Sequence, residues 1–281
     1  MYHISEISPV REKIKKWKQA GYRIAFVPTM GNLHAGHLAL VERAKELADK
    51  VVVSIFVNPI QFDKKVDLQA YPRTLVDDKA KLLSVECDLV FTPSVKVLYP
   101  SGSDITRVEV SGISELLEGE SRPGHFSGVA TVVTKLFNIV SPDVSIFGEK
   151  DFQQLMLVRK MVKDLDMDID IIGLPTVRDP DGLAMSSRNS YLTAEERKIA
   201  PQFYKEMKFL AESLKKGATN FQSLQLSLMS KLEKIGFKPD YIEIRKANDL
   251  TVASEEDVEI VILGSAWLGK ARLIDNIVMT V

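Results

Sequence analysis

Four short runs in this chain are apolar almost without interruption: Arg23–Val27 (RIAFV), Val51–Val57 (VVVSIFV), Asp88–Phe91 (DLVF) and Val144–Phe147 (VSIF). A strand with one face in water alternates polar and apolar residues. A strand covered on both faces does not, and that is the mark of a parallel sheet enclosed by helices. Helical patterns fall between these runs, at about 37–49, 74–86 and 128–140, and another follows the last run at 151–164. Strand–helix alternation at this spacing implies βαβ units and hence an α/β fold, a Rossmann-like doubly wound parallel sheet. Ile105–Val110 (ITRVEV) does alternate and reads as an edge or antiparallel strand, and Ile169–Leu174 closes the series.

The texture changes at Leu174-Pro175-Thr176-Val177-Arg178-Asp179-Pro180-Asp181-Gly182, where two prolines and a glycine-ended turn mark a hinge. The expected division is residues 1–176 and a smaller α+β domain, 177–281, acting as a lid. Thr193-Ala-Glu-Glu196 has the form of a capping box and opens a helix expected to run to about Lys216, with Gly217 just past its end. A second amphipathic helix, about 220–235, stops at Gly236, and strand-like runs follow at Tyr241–Arg245, Val258–Leu263 and Arg272–Met279.

Composition narrows the class. The 281 residues are 45% hydrophobic and 27% charged, which excludes disorder and simple fibrous repeats. With 37 Lys+Arg against 38 Asp+Glu the net charge is −1, so no nucleic-acid partner that works by broad phosphate neutralisation is expected. Cys87 is the single cysteine and has no intrachain partner for a disulfide, which fits a reducing compartment. No run approaches the ~20 apolar residues of a membrane span. The opening Met-Tyr-His-Ile-Ser-Glu lacks the order of a signal peptide, so a cytoplasmic location is expected.

The segment Pro28-Thr29-Met30-Gly31-Asn32-Leu33-His34-Ala35-Gly36-His37 follows the first apolar run and opens a helix. In a doubly wound sheet, ligands bind at the carboxyl ends of strands. The two glycines allow close backbone approach, and a helix start offers unpaired N–H groups and a positive dipole end to an anion. His34 and His37 share a helix face and can both address a phosphate. The spacing is neither the dinucleotide fingerprint nor a P-loop. A structural zinc site lacks further ligands, since His3, His125 and Cys87 are scattered singly.

Other segments gain meaning beside this loop. Phe147-Gly148-Glu149-Lys150-Asp151-Phe152-Gln153-Gln154 places an ammonium, and one helical turn later an amide, at another strand end. Met185-Ser186-Ser187-Arg188-Asn189 sets two hydroxyls beside a guanidinium, a combination suited to phosphate oxygens. Asn58-Pro59-Ile60-Gln61-Phe62 ends the second run with a neutral amide, and Arg122-Pro123-Gly124-His125-Phe126 is a basic helix entry. The acidic Glu255-Glu256-Asp257 reads as a solvated turn.

In this order the blocks PTMGNLHAGH, NPIQF with YPRT, RPGHF, FGEKDFQQL and MSSRNSYL resemble those of the pantoate–β-alanine ligases, in which the first is a version of the HIGH signature of the nucleotidylyltransferase superfamily. Ile60 stands where Thr or Leu is usual, and Asp63-Lys64-Lys65 replaces a more glycine-containing turn. The resemblance implies ATP-dependent condensation of (R)-pantoate with β-alanine. The pantoate carboxylate displaces pyrophosphate from ATP to give pantoyl-adenylate, and the amine then releases pantothenate and AMP. By resemblance the catalytic residues are His34, His37 and Lys150, with a proton-donor role at His37. The nucleotide site comprises Met30, Gly31, Asn32, Leu33, His34, Ala35, Gly36 and His37; Gly148, Glu149, Lys150 and Asp151; and Val177, Met185, Ser186, Ser187 and Arg188. Gln61 and Gln154 map onto the pantoate-binding glutamines, while Pro28 and Met30 supply an apolar wall for the gem-dimethyl group. Mg²⁺ is implied as a bridge between phosphates that keeps most of its waters, with Asp78 as a ligand, and a homodimer is implied as the assembly.

Two other functions share parts of this pattern. A nucleotidylyltransferase would leave AMP on a phosphate-containing acceptor and should need a basic acceptor pocket, where this sequence offers glutamines. A nucleotide-sensing module would bind ATP without releasing pyrophosphate.

Overall fold

The computed structural model describes residues 1–281 apart from Lys64, Ser103 and the side chain of Lys65. The departure at Asp63-Lys64-Lys65 therefore lies partly outside the described residues. The chain forms two compact units, residues 1–149 with 154–175, and residues 150–153 with 176–281.

In the first unit six strands build one sheet: β1 (Tyr2–Ile4), β2 (Ile24–Thr29), β3 (Lys50–Ile55), β4 (Leu89–Phe91), β5 (Val144–Gly148) and β6 (Asp170–Leu174). Their order is β1-β4-β3-β2-β5-β6, and every pairing is parallel. The associated helices are α1 (Ile7–Gln19), α2 (Ala35–Leu47), α3 (Lys65–Ala70), α4 (Leu75–Ser84), α5 (Val95–Leu98), α6 (Glu118–Ser121), α7 (His125–Val140) and α8 (Phe152–Asp164). The uninterrupted apolar runs form the central strands because both faces are covered. Ala25, Phe26, Val27, Val52 and Val53 have no exposed surface. Burying each of the larger side chains contributes about 1.5–3 kcal/mol, which fixes strand and register together. From β2 the chain goes to β3 and β4 on one side, and later to β5 and β6 on the other. β2 is thus the switch point of the sheet, and the loop after it is where such folds place a ligand.

Three local expectations change. Ile105–Val110 forms no strand; its Val108 amide donates to Thr131 Oγ1 of α7 at 2.9 Å, and of its six residues only Val110 is buried. The N-terminal residues, not assigned to any element from sequence, supply β1 and α1. Their signal is the spacing of the buried Val10, Ile14 and Trp17. The helix expected from Thr193 to Lys216 is two helices, α9 (Ala194–Ile199) and α10 (Gln202–Lys215). Pro201 lacks the N–H that would continue the first, and its ring displaces the preceding turn.

In the second unit the capping box forms as the sequence implies, with Glu196 N donating to Thr193 Oγ1 at 3.2 Å and Thr193 N donating to Glu196 Oε2 at 2.8 Å. α10 and α11 (Phe221–Ile235) precede an antiparallel meander of β7 (Lys238–Lys246), β8 (Glu259–Leu268) and β9 (Ala271–Thr280). Gly236 ends α11 with φ of +109°, a conformation that suits glycine. Its core gathers Phe203, Met207, Leu232, Ile242 and Ile262. Residues 150–153 belong to this unit, where Asn276 Nδ2 donates to the Lys150 carbonyl at 3.0 Å. Among the described residues, no helix is long and apolar enough to cross a membrane.

Candidate active site

The loop between β2 and α2 is held by the strand it leaves. Thr29 Oγ1 donates to Ser54 O of β3 at 2.8 Å and accepts from Gly31 N at 3.2 Å. Gly31 then takes φ +82° and Asn32 φ +51°. A Cβ on Gly31 would stand 2.9 Å from Ile55 Cγ2 and 3.0 Å from Asp78 Oδ2, so both the turn and the space require glycine.

His34 is the N-cap of α2 and His37 its third residue, with ring centroids 4.1 Å apart. Gly36 N donates to His34 Nδ1 at 3.2 Å, and His34 N donates to His37 Nδ1 at 3.3 Å. A backbone N–H can only donate, so Nδ1 of each ring is the acceptor, and each neutral imidazole carries its proton on Nε2. Two ring N–H donors therefore accompany the positive end of a helix, a constellation that suits phosphate oxygens.

Asp78, expected as a metal ligand, does something else. It is fully buried in α4. Oδ2 accepts from Asn32 N at 2.9 Å and from Thr74 Oγ1 at 3.2 Å, while Oδ1 accepts from Leu33 N at 2.8 Å. From the next turn of α4, Lys81 Nζ donates to Leu33 O at 2.6 Å. Helix α4 thus grips both the N–H and the C=O groups of the loop, and a carboxylate spent on buried amides is a brace rather than a ligand. Among the described residues no group of three or more His, Cys, Asp or Glu could hold a metal ion. The described residues therefore offer no ready-made protein cage for a cation.

Gln61, at the end of a 3₁₀ turn after β3, is only 7% exposed. Its Nε2 lies 3.1 Å from Met30 Sδ, so the structure brings the first predicted pantoate amide beside the predicted nucleotide loop. Gly148 ends β5 next to β2, and Glu149 packs against Gly173 of β6. Gln154 is half-buried in the first two turns of α8.

The remaining predicted residues belong to the second unit. Lys150 and Ser186 line one narrow cleft with Asn189, Tyr204 and Asp275. Ser186 caps a 3₁₀ turn by accepting from Arg188 N at 3.2 Å, and Val177, Met185, Ser187 and Arg188 are half-buried around it while Asp151 is exposed. The loop is anchored by a bidentate ion pair: Arg178 donates to both oxygens of Asp275 at 2.6 and 2.7 Å and stacks 3.3 Å from the Tyr204 ring centroid.

The family profile described as pantoate-beta-alanine ligase matches residues 2–278. The chain belongs to the pantoate–β-alanine ligase family. Pantothenate synthetases of this family from Vibrio vulnificus and Shewanella halifaxensis are 58% and 53% identical to it, over 98% and 100% of this chain and 92% and 99% of theirs. The pantothenate synthetase of Thermus thermophilus superposes with a TM-score of 0.92 at 42% identity, each chain being covered to 99%. A pantoate-β-alanine ligase from Francisella tularensis, solved with β-γ ATP and β-alanine, superposes with a TM-score of 0.83 at 39% identity, covering 99% of this chain and 97% of that one.

Neither Lys81 nor the bracing role of Asp78 is marked in the sequence. Lys81 and Asp78 are spaced as successive turns of one helix face, a signal equally common in surface helices.

Proposed function

We infer that this chain is an ATP-dependent ligase that joins (R)-pantoate to β-alanine, giving pantothenate, AMP and pyrophosphate. In the first step a pantoate carboxylate oxygen attacks the α-phosphorus of ATP, the bond to pyrophosphate breaks, and pantoyl-adenylate forms. In the second the β-alanine nitrogen attacks the acyl carbon, AMP leaves, and the amine loses its proton. The observation that carries this reading is the pair of Nε2–H imidazoles at the start of α2, on the switch point of a sheet whose chain belongs throughout to this family.

The roles follow from the chemistry of each group. His34 and His37 donate to the phosphates and stabilise charge on the departing pyrophosphate, and amides of residues 30–37 line the nucleotide. Lys150 adds a fixed positive charge, with Gly148, Glu149 and Asp151 its neighbours in sequence, and the family resemblance assigns Val177, Met185, Ser186, Ser187 and Arg188 to the nucleotide as well. Gln61 and Gln154 receive pantoate, because neutral amides bind its oxygens without a full charge that would dampen the carboxylate as a nucleophile. We assign Mg²⁺ to the triphosphate rather than to the protein. The proline- and glycine-marked stretch at 174–182 supports a boundary near residue 176, the single cysteine a reducing, cytoplasmic location, and the family resemblance a homodimer; sedimentation of the purified chain tests the dimer.

The deciding experiment is exchange of labelled pyrophosphate into ATP without any amine. Exchange that depends on pantoate, followed by AMP release when β-alanine is added, is expected. A stable adenylylated product would instead identify a nucleotidylyltransferase.

A further inference from the structure

Gln61 does not hang freely; its amide is wired into the protein. Asn58 Nδ2 donates to Gln61 Oε1 at 3.0 Å and to Gly128 O at 3.1 Å, and Tyr99 Oη donates to Asn58 Oδ1 at 2.8 Å. The direction of this chain is forced. A backbone carbonyl can only accept, so the Asn58 atom facing Gly128 must be the nitrogen. Its oxygen then faces Tyr99, whose hydroxyl must donate. With both Asn58 hydrogens directed at acceptors, the Gln61 atom facing Asn58 must be Oε1. Nε2 is thereby turned toward Met30, where the thioether is only a weak acceptor.

The backbone of Gln61 is fixed as tightly. His125 lies 2.8 Å through Nδ1 from the Gln61 carbonyl, which makes that ring nitrogen the protonated one. Helix α7 approaches so closely at Gly128 that a Cβ there would stand 2.6 Å from Ile60 O and 2.7 Å from Gln61 Cα. Asn58 is 1% exposed, Tyr99 3% and Gln61 7%, so water does not compete for these groups. In this environment a flipped Gln61 amide would set its N–H₂ against that of Asn58, and a flipped Asn58 amide would set its oxygen against the Gly128 carbonyl, each leaving a buried unsatisfied pair.

We propose that Tyr99, Asn58 and Gly128 are positioning residues that lock the Gln61 amide with its N–H₂ outward, so that position 61 recognises a hydrogen-bond acceptor on the acid substrate, a carboxylate or hydroxyl oxygen, and never a donor. This rests on the reading of Gln61 as a pantoate contact, and it adds the polarity of that contact and the residues that set it.

The test separates the two layers. Gln61→Ala comes first: an unchanged KM for pantoate overturns the contact itself. If that KM rises, Gln61→Glu reads the polarity. The introduced carboxylate keeps an oxygen for Asn58 but presents a second oxygen where Nε2 stood. With the donor outward, KM for pantoate at pH 8 should rise about 10–100-fold over wild type, the scale of one hydrogen bond to a charged group. The ratio should shrink as the pH is lowered and the new carboxyl gains an O–H. A Gln61→Glu enzyme within threefold of wild type at pH 8 overturns the donor assignment. Tyr99→Phe, which preserves shape, should raise KM for pantoate about 3–10-fold while KM for ATP and kcat stay within twofold. Equal effects on both substrates, or none, remove Tyr99 from the positioning set. Unchanged ATP affinity in each variant reports that the nucleotide loop and the fold are intact.

Discussion

Replacing Asp78 by Asn tests whether α4 braces the nucleotide loop. The change preserves shape and removes the charge, leaving one oxygen for two buried amides. Either Asn32 N or Leu33 N, now at 2.9 and 2.8 Å from the carboxylate, must face an NH₂ group. A hydrogen bond to a charged acceptor is worth about 1.5–3 kcal/mol, and the amide left unpaired adds to the loss, so about 2–4 kcal/mol is expected. The loop already holds two successive residues at positive φ, Gly31 and Asn32, and this cost has less to offset it once the brace is gone. Local opening should therefore increase about 30- to 700-fold, at 1.4 kcal/mol per factor of ten. Hydrogen exchange of the peptide covering 31–34 reads this directly, while strands β3 and β5 should keep their protection. Pantoate-dependent pyrophosphate exchange should slow about 10²-fold, because the histidines ride on the same loop. Titration with excess Mg²⁺ separates a brace from a ligand. Recovery of the rate at high Mg²⁺ with wild-type protection at 31–34 would refute the brace.

Lys150→Ala should lower the adenylation rate about 10²–10³-fold, the scale of one preorganised electrostatic group, and near-normal pyrophosphate exchange would remove it from the site. Asp275→Ala strands the Arg178 guanidinium against a carboxylate position that is 3% exposed, so the second unit should lose about 3–5 kcal/mol, read as a melting transition lower by roughly 15 °C; a shift under 2 °C would contradict a tight pair. The Cys87 thiol, pushed by burial from 9.0 up to about 12, should resist thiol reagents at pH 8.5 until the protein unfolds. Because the unfolded thiol ionises first, its contribution to stability is complete below pH 9 and lost as the pH rises toward about 12. Cys87→Ala should flatten that alkaline slope, and rapid labelling of the native protein would show the thiol to be accessible.

What the sequence revealed and what it hid divide along the range of the interactions. Continuous apolar runs such as Val51–Val53 disclose a doubly covered strand because burial acts residue by residue. The loop from Met30 to His37 is legible because glycine, histidine and helix start are neighbours along the chain, and both cap bonds close within three residues. Strand β1 is too short for any period, and its partner β4 lies far along the chain. Pro201 is visible as a residue, but it weighs less than the helical pattern on both sides of it. The brace and the wired glutamine are invisible for a stronger reason. Asp78 reaches across 45 residues to Leu33, and Tyr99 across 41 to Asn58, each using a side chain whose identity is common at helix surfaces and in cores. Such residues acquire a role only when the sheet delivers their partners, so no local pattern distinguishes Asp78 from the exposed Asp77 beside it. The polarity of Gln61 goes further still. It is set by a carbonyl at Gly128, a group every residue possesses, and only the approach that a missing Cβ permits turns that carbonyl into information.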